Sequence, residues 1–355
     1  MTGRSAIASP SLDALRNATA PAQARSGLIV TRTPLRISFA GGGTDLAEFY
    51  QHETGAVLST AIDRYVYVTI KRHNTLFGAP IRLNYSETEE AHSIGEIRNE
   101  IARECFRLLN IQPPIYMSTV ADIPAASGLG SSSAFAVGLL SALHAYRGEH
   151  VSHGQLAEEA AHVEIDVLRR PIGKQDHYAA AFGGFNCFGF LASGSVSVES
   201  QHFTGDRREV LFRHLLLFWT GITRDATRVL AEQRLNTPER MSELRLLRDH
   251  ALELHVLFSG RFNPQAVGRA LDACWRLKQK LASTISNERI DGWYRCAIDA
   301  GAWGGKLCGA GGGGFFLFVA APELHNAIRE ALPDLREVSI GYEPLGSRVL
   351  MPHVE

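Results

Sequence analysis

"ADIPAASGLGSSSAFAVGLLSAL", from Ala121 to Leu143, sets two glycines and three consecutive serines immediately ahead of an apolar run. A helix that starts this way exposes backbone N–H groups with no partner inside the helix, at the positive end of its dipole. Gly128 and Gly130 leave no Cβ between those amides and an approaching anion, and Ser131, Ser132 and Ser133 add hydroxyl donors. Phosphate is the guest such a loop suits. The plain alternative is a serine-capped helix, because serine caps many helices; so many small residues together favour phosphate.

Composition bounds what surrounds this loop. A chain of 355 residues with 45% hydrophobic content can bury a large core and is long enough for two domains. A formal net charge of -1, with no basic run, gives no field for nucleic acid or an anionic membrane. The five cysteines, Cys105, Cys187, Cys274, Cys296 and Cys308, are scattered and never spaced as C-x-x-C, which argues against a disulfide framework or a structural zinc site and fits a reducing cytoplasm. No stretch reaches the roughly 18 consecutive apolar residues that a membrane span requires. The Ala-, Ser- and Pro-rich leader reads as a weakly ordered extension over residues 1–27, with a short docked helix over residues 13–18 as the alternative.

Mixed elements follow. "LIVTRTPLRISFA", "AVLSTAIDRYVYVTIKR" and "IRLNY" have the β-branched and aromatic content of strands, and "EIRNEIARECFRLLN" has helical spacing. Helices are expected over residues 133–146 and 153–169, the second broken by Pro171 and Gly173, with a short one in "KQDHYAAAF" and extended chain in "GGFNCFGFLASG". Beyond "LLLFWTG", amphipathic helices fill residues 225–302, and "FFLFVA", "EVSIGYE" and "SRVLM" read as strands of a second layer. The expected division is an ATP-binding unit over 28–200 and a second unit over 201–355. No internal repeat is visible.

The remaining glycine motifs separate by context. "PIGKQD" lacks the first glycine and the final hydroxyl of a Walker A loop. "GAGGGG", Gly309 to Gly314, matches G-x-G-x-x-G but leads into a strand, whereas a dinucleotide fold needs a helix there. "GLGSSSA" is not a nucleophile elbow. Two stretches carry chemistry of their own: "RISFAGGGTDL" packs Arg36, three glycines and Asp45 into one turn, and "VEIDVLRRPIGKQDHYAAAFGG" puts Glu164 on a helix and Asp176 just past a Pro-Gly break.

In this order "RISFAGGGTDL", "PAASGLGSSSA" and "CGAGGGGFFLF" resemble the three signature motifs of the GHMP small-molecule kinases, spanning residues 30 to 350, and the wording of the first is most similar to the heptose 7-phosphate kinase branch. The resemblance implies an α+β two-domain fold, with an N-terminal domain like ribosomal protein S5 domain 2 and a ferredoxin-like C-terminal domain, binding ATP with Mg²⁺ between them. It implies that Ser127, Gly128, Leu129, Gly130, Ser131, Ser132 and Ser133 wrap the triphosphate with help from Gly311 and Gly312, and that Ser132, Ser133 and Glu164 hold the metal. Asp176 matches the catalytic carboxylate and Arg36 the arginine facing it; Gly42, Gly43, Thr44 and Asp45 match the sugar-binding turn. Many relatives read "QDQ" where this chain has "QDH", so His177 is expected either to contact substrate differently or to face solvent.

Each role has a plainer competitor. Asp176 alone could be a helix cap, Glu164 a solvated helix face, Asp45 the closure of its own turn, and Gly309–Gly314 a structural loop. Cations for a sugar phosphate are sought among Arg224, Lys174, Arg169, Arg170 and Lys71, since guanidinium forks and ammonium groups suit phosphate oxygens, and Arg224, entering a helix from a Thr-Gly turn, is preferred. The implied activity is transfer of the ATP γ-phosphate to the anomeric C1 hydroxyl of D-glycero-D-manno-heptose 7-phosphate, in supply of activated heptose for capsule or lipopolysaccharide. Alternatives are the same transfer to another sugar such as L-fucose, and a sugar sensor without turnover. Expected partners are a sugar phosphate and ATP, without nucleic acid or membrane, in a possible homo-oligomer.

Overall fold

Strand β1 (Ile29–Ala40) changes character along its length: it alternates buried and half-buried residues at first, then is buried on both faces from Thr33 to Ala40. This belongs to a strand whose second half is covered on both sides. In the computed structural model, which describes residues 27–351 apart from 75, 77, 202–204, 224–225 and 261, that is its position. Residues 1–26 of the expected extension, and Arg224, lie outside the described residues.

β1 pairs antiparallel with the 18-residue β2 (Gly55–Arg72), which divides its other edge between two partners. Its first part pairs β6 (Phe185–Phe190) and its last part β5 (Ile115–Ala121), both antiparallel. A register break opposite Pro34 and Leu35 leaves Asp63 and Arg64 unpaired and lets the ribbon bend. β3 (Ile81–Asn84), β4 (Thr88–Ala91) and β7 (Val196–Ser200) extend this sheet to eight strands, with β3 parallel to β5. The second sheet has the order β11 (Arg336–Glu337), β8 (Leu215–Trp219), β10 (Phe315–Val319), β9 (Gly304–Leu307), all antiparallel.

β12 (Arg348–Met351), the "SRVLM" stretch expected in the second layer, instead pairs β1 in the first sheet. The chain changes sheet after β7 and returns at its end, so residues 201–355 are not all one layer. Backbone bonds hold the return: Gly184 N–H donates to the Glu343 carbonyl, Glu343 N–H to Ala61 and Ser347 N–H to Ala180. Of "EVSIGYE", only Glu337 is in a strand, and Tyr342 forms an isolated bridge with Ile62.

The helices, in chain order, are α1 (Ala47–Tyr50), α2 (Glu100–Leu108), α3 (Ser131–Tyr146), α4 (His153–Ala161), α5 (Gln175–Phe182), α6 (Gly205–Arg213), α7 (Ala226–Asn236), α8 (Met241–Ser259), α9 (Pro264–Lys278), α10 (Glu288–Asp299) and α11 (His325–Ala331). α3 is the apolar run of the opening stretch. It has no polar stripe because it is covered all round, with Val137, Leu139, Leu140 and Leu143 fully buried. Gly138 lets it lie against β1, where a Cβ would come within 2.6 Å of the Thr33 hydroxyl, and the Thr31 hydroxyl donates to the Gly138 carbonyl at 2.9 Å. Each buried Leu or Ile contributes about 1.5–3 kcal/mol, so the helix carrying the serine loop is anchored along its whole length. α8 crosses back to the first sheet, where Phe258 packs on Phe39 and Phe185. Among the described residues no helix is long and apolar enough to cross a membrane.

Candidate active site

The loop ahead of α3 turns through left-handed backbone at Ala126, Gly128 (φ +87°) and Gly130 (φ +81°), and Gly130 caps the helix. Those angles aim the first-turn amides of Ser131, Ser132 and Ser133 outward, where a helix has no internal acceptor for them. They face a cleft of about 620 Å³ whose wall includes Arg36, Gly42, Gly43, Asp45, Gly128, Gly130, Ser131, Ser132, Ser133, Glu164 and Asp176. Three segments far apart in sequence thus meet around one space.

Arg36 and Asp176 form a side-on pair. The guanidinium Nε donates to Asp176 Oδ1 at 2.7 Å and NH2 to Oδ2 at 2.6 Å, while NH1 donates to the Gly128 carbonyl at 2.8 Å. One arginine therefore fixes both the carboxylate in the first turn of α5 and the serine loop. Asp45 lies behind them, 2% exposed, with Oδ1 accepting from Gly43 N–H and the Gln175 amide and Oδ2 from Gln175 N–H. Burial, and then the charge of Asp176, push its carboxyl above the usual range. Gly173 is required at this contact, since a Cβ there would fall 2.0 Å from Asp45 Oδ2.

The helix expected over residues 153–169 is α-helical only to Ala161 and widens into a π-turn over His162–Val167 that carries Glu164. Such widenings often mark functional positions. Glu164 is fully buried; Ser132 donates to Oε1 at 2.5 Å, Arg170 NH1 to the same oxygen at 2.8 Å, and His177 Nε2 to Oε2 at 2.9 Å. Burial pushes its carboxyl up, but the His177 and Ser132 hydrogen bonds and the Arg170 charge outweigh this and hold it at about 2. An ionised carboxylate beside a serine hydroxyl, both oxygen donors on the cleft wall, is a donor set suited to a hard divalent cation such as Mg²⁺, which keeps most of its ligands as water and phosphate oxygens. Among the described residues no group of three or more His, Cys, Asp or Glu gathers as a metal site, so the protein would supply only Ser132 and Glu164, with Ser133 on the wall beside them.

Several expected contacts lie elsewhere. His177 neither faces solvent nor lines the cleft: it is fully buried behind Glu164, and its Nδ1 has no partner among the described residues. Lys174 is not on the cleft wall; its ammonium is held by both Glu158 oxygens and the Gly194 carbonyl, the carboxylate nearby being a better partner than a distant ligand. Thr44 is buried, donating to the Gly41 and Ala56 carbonyls and accepting from Ala56 N–H, which closes the turn from behind. Ser127 and Leu129 are buried in the back of their loop. Gly311 and Gly312 pack on Ile285, to whose carbonyl Gly312 N–H donates at 2.6 Å, so from that loop only Gly309 and Ala310 line the cleft. Arg169 and Arg170 reach the wall and Lys71 does not.

Sequence reading missed Ser38, Gln175, Gln233, Cys274, Lys278 and Lys306 on the wall. The signal for Lys306 was available: it is the one charged residue in "WGGKLCGAGGGGFFLF".

Comparison with known proteins adds an independent line. The family models for the GHMP kinases N terminal domain and the GHMP kinases C terminal match residues 96–184 and 255–335. The chain is 32% identical over 314 residues, covering 85% of it and 92% of the relative, to a D-glycero-alpha-D-manno-heptose 7-phosphate kinase of Campylobacter jejuni. It is 27% identical over 351 residues to the L-fucokinase/L-fucose-1-P guanylyltransferase of Bacteroides fragilis, covering 85% of the chain and 36% of that longer protein. In three dimensions it is similar, at a TM-score of 0.76 and 23% identity over 92% of this chain and 100% of the other, to the crystal structure of a D-glycero-D-manno-heptose 1-phosphate kinase from Bacteroides thetaiotaomicron.

Proposed function

The chain belongs to the GHMP kinase family and is an ATP-dependent sugar kinase, and from that premise we propose that it phosphorylates the anomeric hydroxyl of D-glycero-D-manno-heptose 7-phosphate. The observation that carries the reading is the Arg36 fork, which ties a carboxylate and the glycine-serine loop to one side chain. Phosphoryl transfer asks mainly for alignment of acceptor and phosphate and for neutralisation of charge. A guanidinium bridging the two partners supplies both.

In this reading the amides of Gly130 to Ser133 donate to the nucleotide's phosphate oxygens, helped by the α3 dipole. Asp176 accepts the proton of the anomeric hydroxyl, or orients its oxygen toward the γ-phosphate, while Arg36 holds both carboxylate oxygens in place. Asp45, its own oxygens steadied by Gly43 and Gln175, accepts from a second sugar hydroxyl. Ser132 and Glu164 would hold Mg²⁺, which would offset charge on the phosphate oxygens. The choice of a heptose phosphate over L-fucose is supported by the 32% identity to the Campylobacter relative against 27% to the fucokinase.

The test is ATP consumption over a panel of the heptose 7-phosphate, the unphosphorylated heptose, L-fucose and D-galactose, with the product's phosphate positions read by ³¹P NMR. The expected result is preference for the heptose 7-phosphate and a 1,7-bisphosphate product. Preference for L-fucose, or a phosphate added away from C1, overturns the reading.

A further inference from the structure

Lys306 is a buried cation that the roles above leave unused. It stands on β9, and its side chain crosses from the second sheet to the end of β1 in the first. It is 5% exposed yet lines the cleft, as does Ser38 beneath it. All its hydrogen bonds run to uncharged oxygens: the Ser38 carbonyl at 2.8 Å, with the Ser38 hydroxyl at 3.4 Å and the Phe39 carbonyl at 3.5 Å. Among the described residues no carboxylate pairs with it. Arg36 and Arg170 on the same wall differ, Arg36 being matched by Asp176 and Arg170 by Glu164 and Glu100.

A lone ammonium taken out of water is among the most expensive groups a fold can bury, and a methionine of similar shape would avoid that penalty. The Ser38 and Phe39 oxygens offset part of that cost but carry no negative charge to balance the ammonium. Position narrows the guest. Arg36 and Ser38 stand two residues apart on one face of β1, about 6.6 Å along the strand. Lys306, bonded to the Ser38 carbonyl, therefore lines the same cleft as the residue that grips Asp176.

We propose that the Lys306 ammonium is the counter-charge for an anionic substituent on the acceptor, so that the cleft selects a phosphorylated sugar over its neutral form. This rests on the sugar-kinase reading and deepens it by naming the residue that sets the acceptor's charge. Burial pulls the free ammonium below its usual range, with the neighbouring Cys308 and Cys274 opposing this and the Arg36 charge adding to it; the charge of a bound phosphate would oppose the lowering. A structural rival exists at the same atoms. β1 shifts register against β2 between Ser38 and Ala40, and Lys306 could serve only to clamp the carbonyls of that bulge.

The experiment compares wild type, Lys306→Met and Lys306→Gln in the full chain. It measures kcat/KM for D-glycero-D-manno-heptose 7-phosphate and for the same heptose without phosphate, the KM for ATP, and the melting temperature. Loss of one charge-assisted contact lowers the ratio of the two kcat/KM values by about 10- to 100-fold. The expected result is that loss, an ATP KM within about threefold of wild type, and a Lys306→Met melting temperature no lower than wild type. Equal losses for both sugars identify a clamp and overturn the proposal, as does a rise confined to the ATP KM. If wild type itself shows no preference for the phosphorylated sugar, the acceptor reading fails; if it does and both variants keep that preference, only the role of Lys306 fails.

Discussion

Replacing Asp176 by Asn keeps shape and removes charge, and the Arg36 fork makes the consequences separable. In the folded chain Arg36 is 5% exposed at its side chain and Asp176 24%, with two N–H···O bonds between them at 2.7 and 2.6 Å. An asparagine offers one oxygen and one NH₂, so one bond survives and the other becomes donor against donor. A fully buried pair broken on one side costs about 3–5 kcal/mol and an exposed one about 0–1 kcal/mol; with one partner buried and the other a quarter exposed, about 2 kcal/mol is expected. For a chain of this size this lowers the melting temperature by about 3 °C. Turnover should fall by more than the stability loss explains, about 10²- to 10⁴-fold in kcat, because the carboxylate proposed to accept the proton or orient the acceptor is gone, while the KM for ATP stays within a few-fold. The decisive comparison adds Arg36→Met to Asp176→Asn. Removing both partners relieves the buried unpaired guanidinium but leaves the Gly128 carbonyl without its donor, so only part of the lost stability returns, without restoring turnover. A single variant with kcat within tenfold of wild type, or a double variant that regains turnover, refutes the role given to Asp176.

Gly128→Ala forces a Cβ onto a φ of +87° and within 2.7 Å of the Cys308 carbonyl oxygen; strain and overpacking together cost about 2–5 kcal/mol, seen in urea melts, and the displaced loop raises the ATP KM by about 100-fold. His177→Ala leaves the fully buried Glu164 Oε2 without its donor, so the apparent Mg²⁺ affinity measured from kinetics falls about tenfold, and His177→Gln, whose amide can donate, recovers most of it. His144 sits between Glu159 and Glu149, each at 2.7 Å. Burial pulls its imidazolium down but the two carboxylates outweigh this and raise it. A raised histidine stabilises fully below its ordinary value of 6.5 and loses that contribution as pH rises through the folded value, so the wild-type melting temperature should drop from pH 6 to pH 9 more than that of His144→Gln; equal drops refute the assignment.

What the sequence made legible was local. Gly128 and Gly130 declare left-handed backbone at a helix start, and nothing far away is needed to aim the next three amides. The pairing of Arg36 with Asp176 spans 140 residues, and no spacing encodes it; resemblance to known motifs suggested it. Where the outcome depended on a partner in space, reading residue types failed in both directions. Lys174 looked available for phosphate but had Glu158 beside it, and His177, expected to contact substrate or face solvent, lay under Glu164. β12 is a short, mostly apolar run, and composition does not say which sheet a strand joins.

In the six residues Gly309 to Gly314, close packing against the serine loop is itself a reason for glycine. A Cβ at Gly309 would fall 2.5 Å from Gly128 Cα, and one at Gly314 would fall 2.4 Å from the Ser127 carbonyl oxygen, while a Cβ at Gly128 would meet Cys308. The two glycine loops touch backbone to backbone, so each needs glycine because of the other. The loop between β9 and β10 thereby packs directly under the serine loop. Lys306 enters on the same strand, β9, and reaches Ser38 on β1. On the proposed roles, acceptor charge at Lys306 and nucleotide at Gly130 would be coupled through one short strand and the turn that follows it. On that geometry Gly309→Ala, a residue whose added methyl points at Gly128 rather than into the cleft, should raise the KM for ATP about as much as Gly128→Ala does. An ATP KM unchanged in Gly309→Ala would mean the two loops move independently, and the coupling would fall with it.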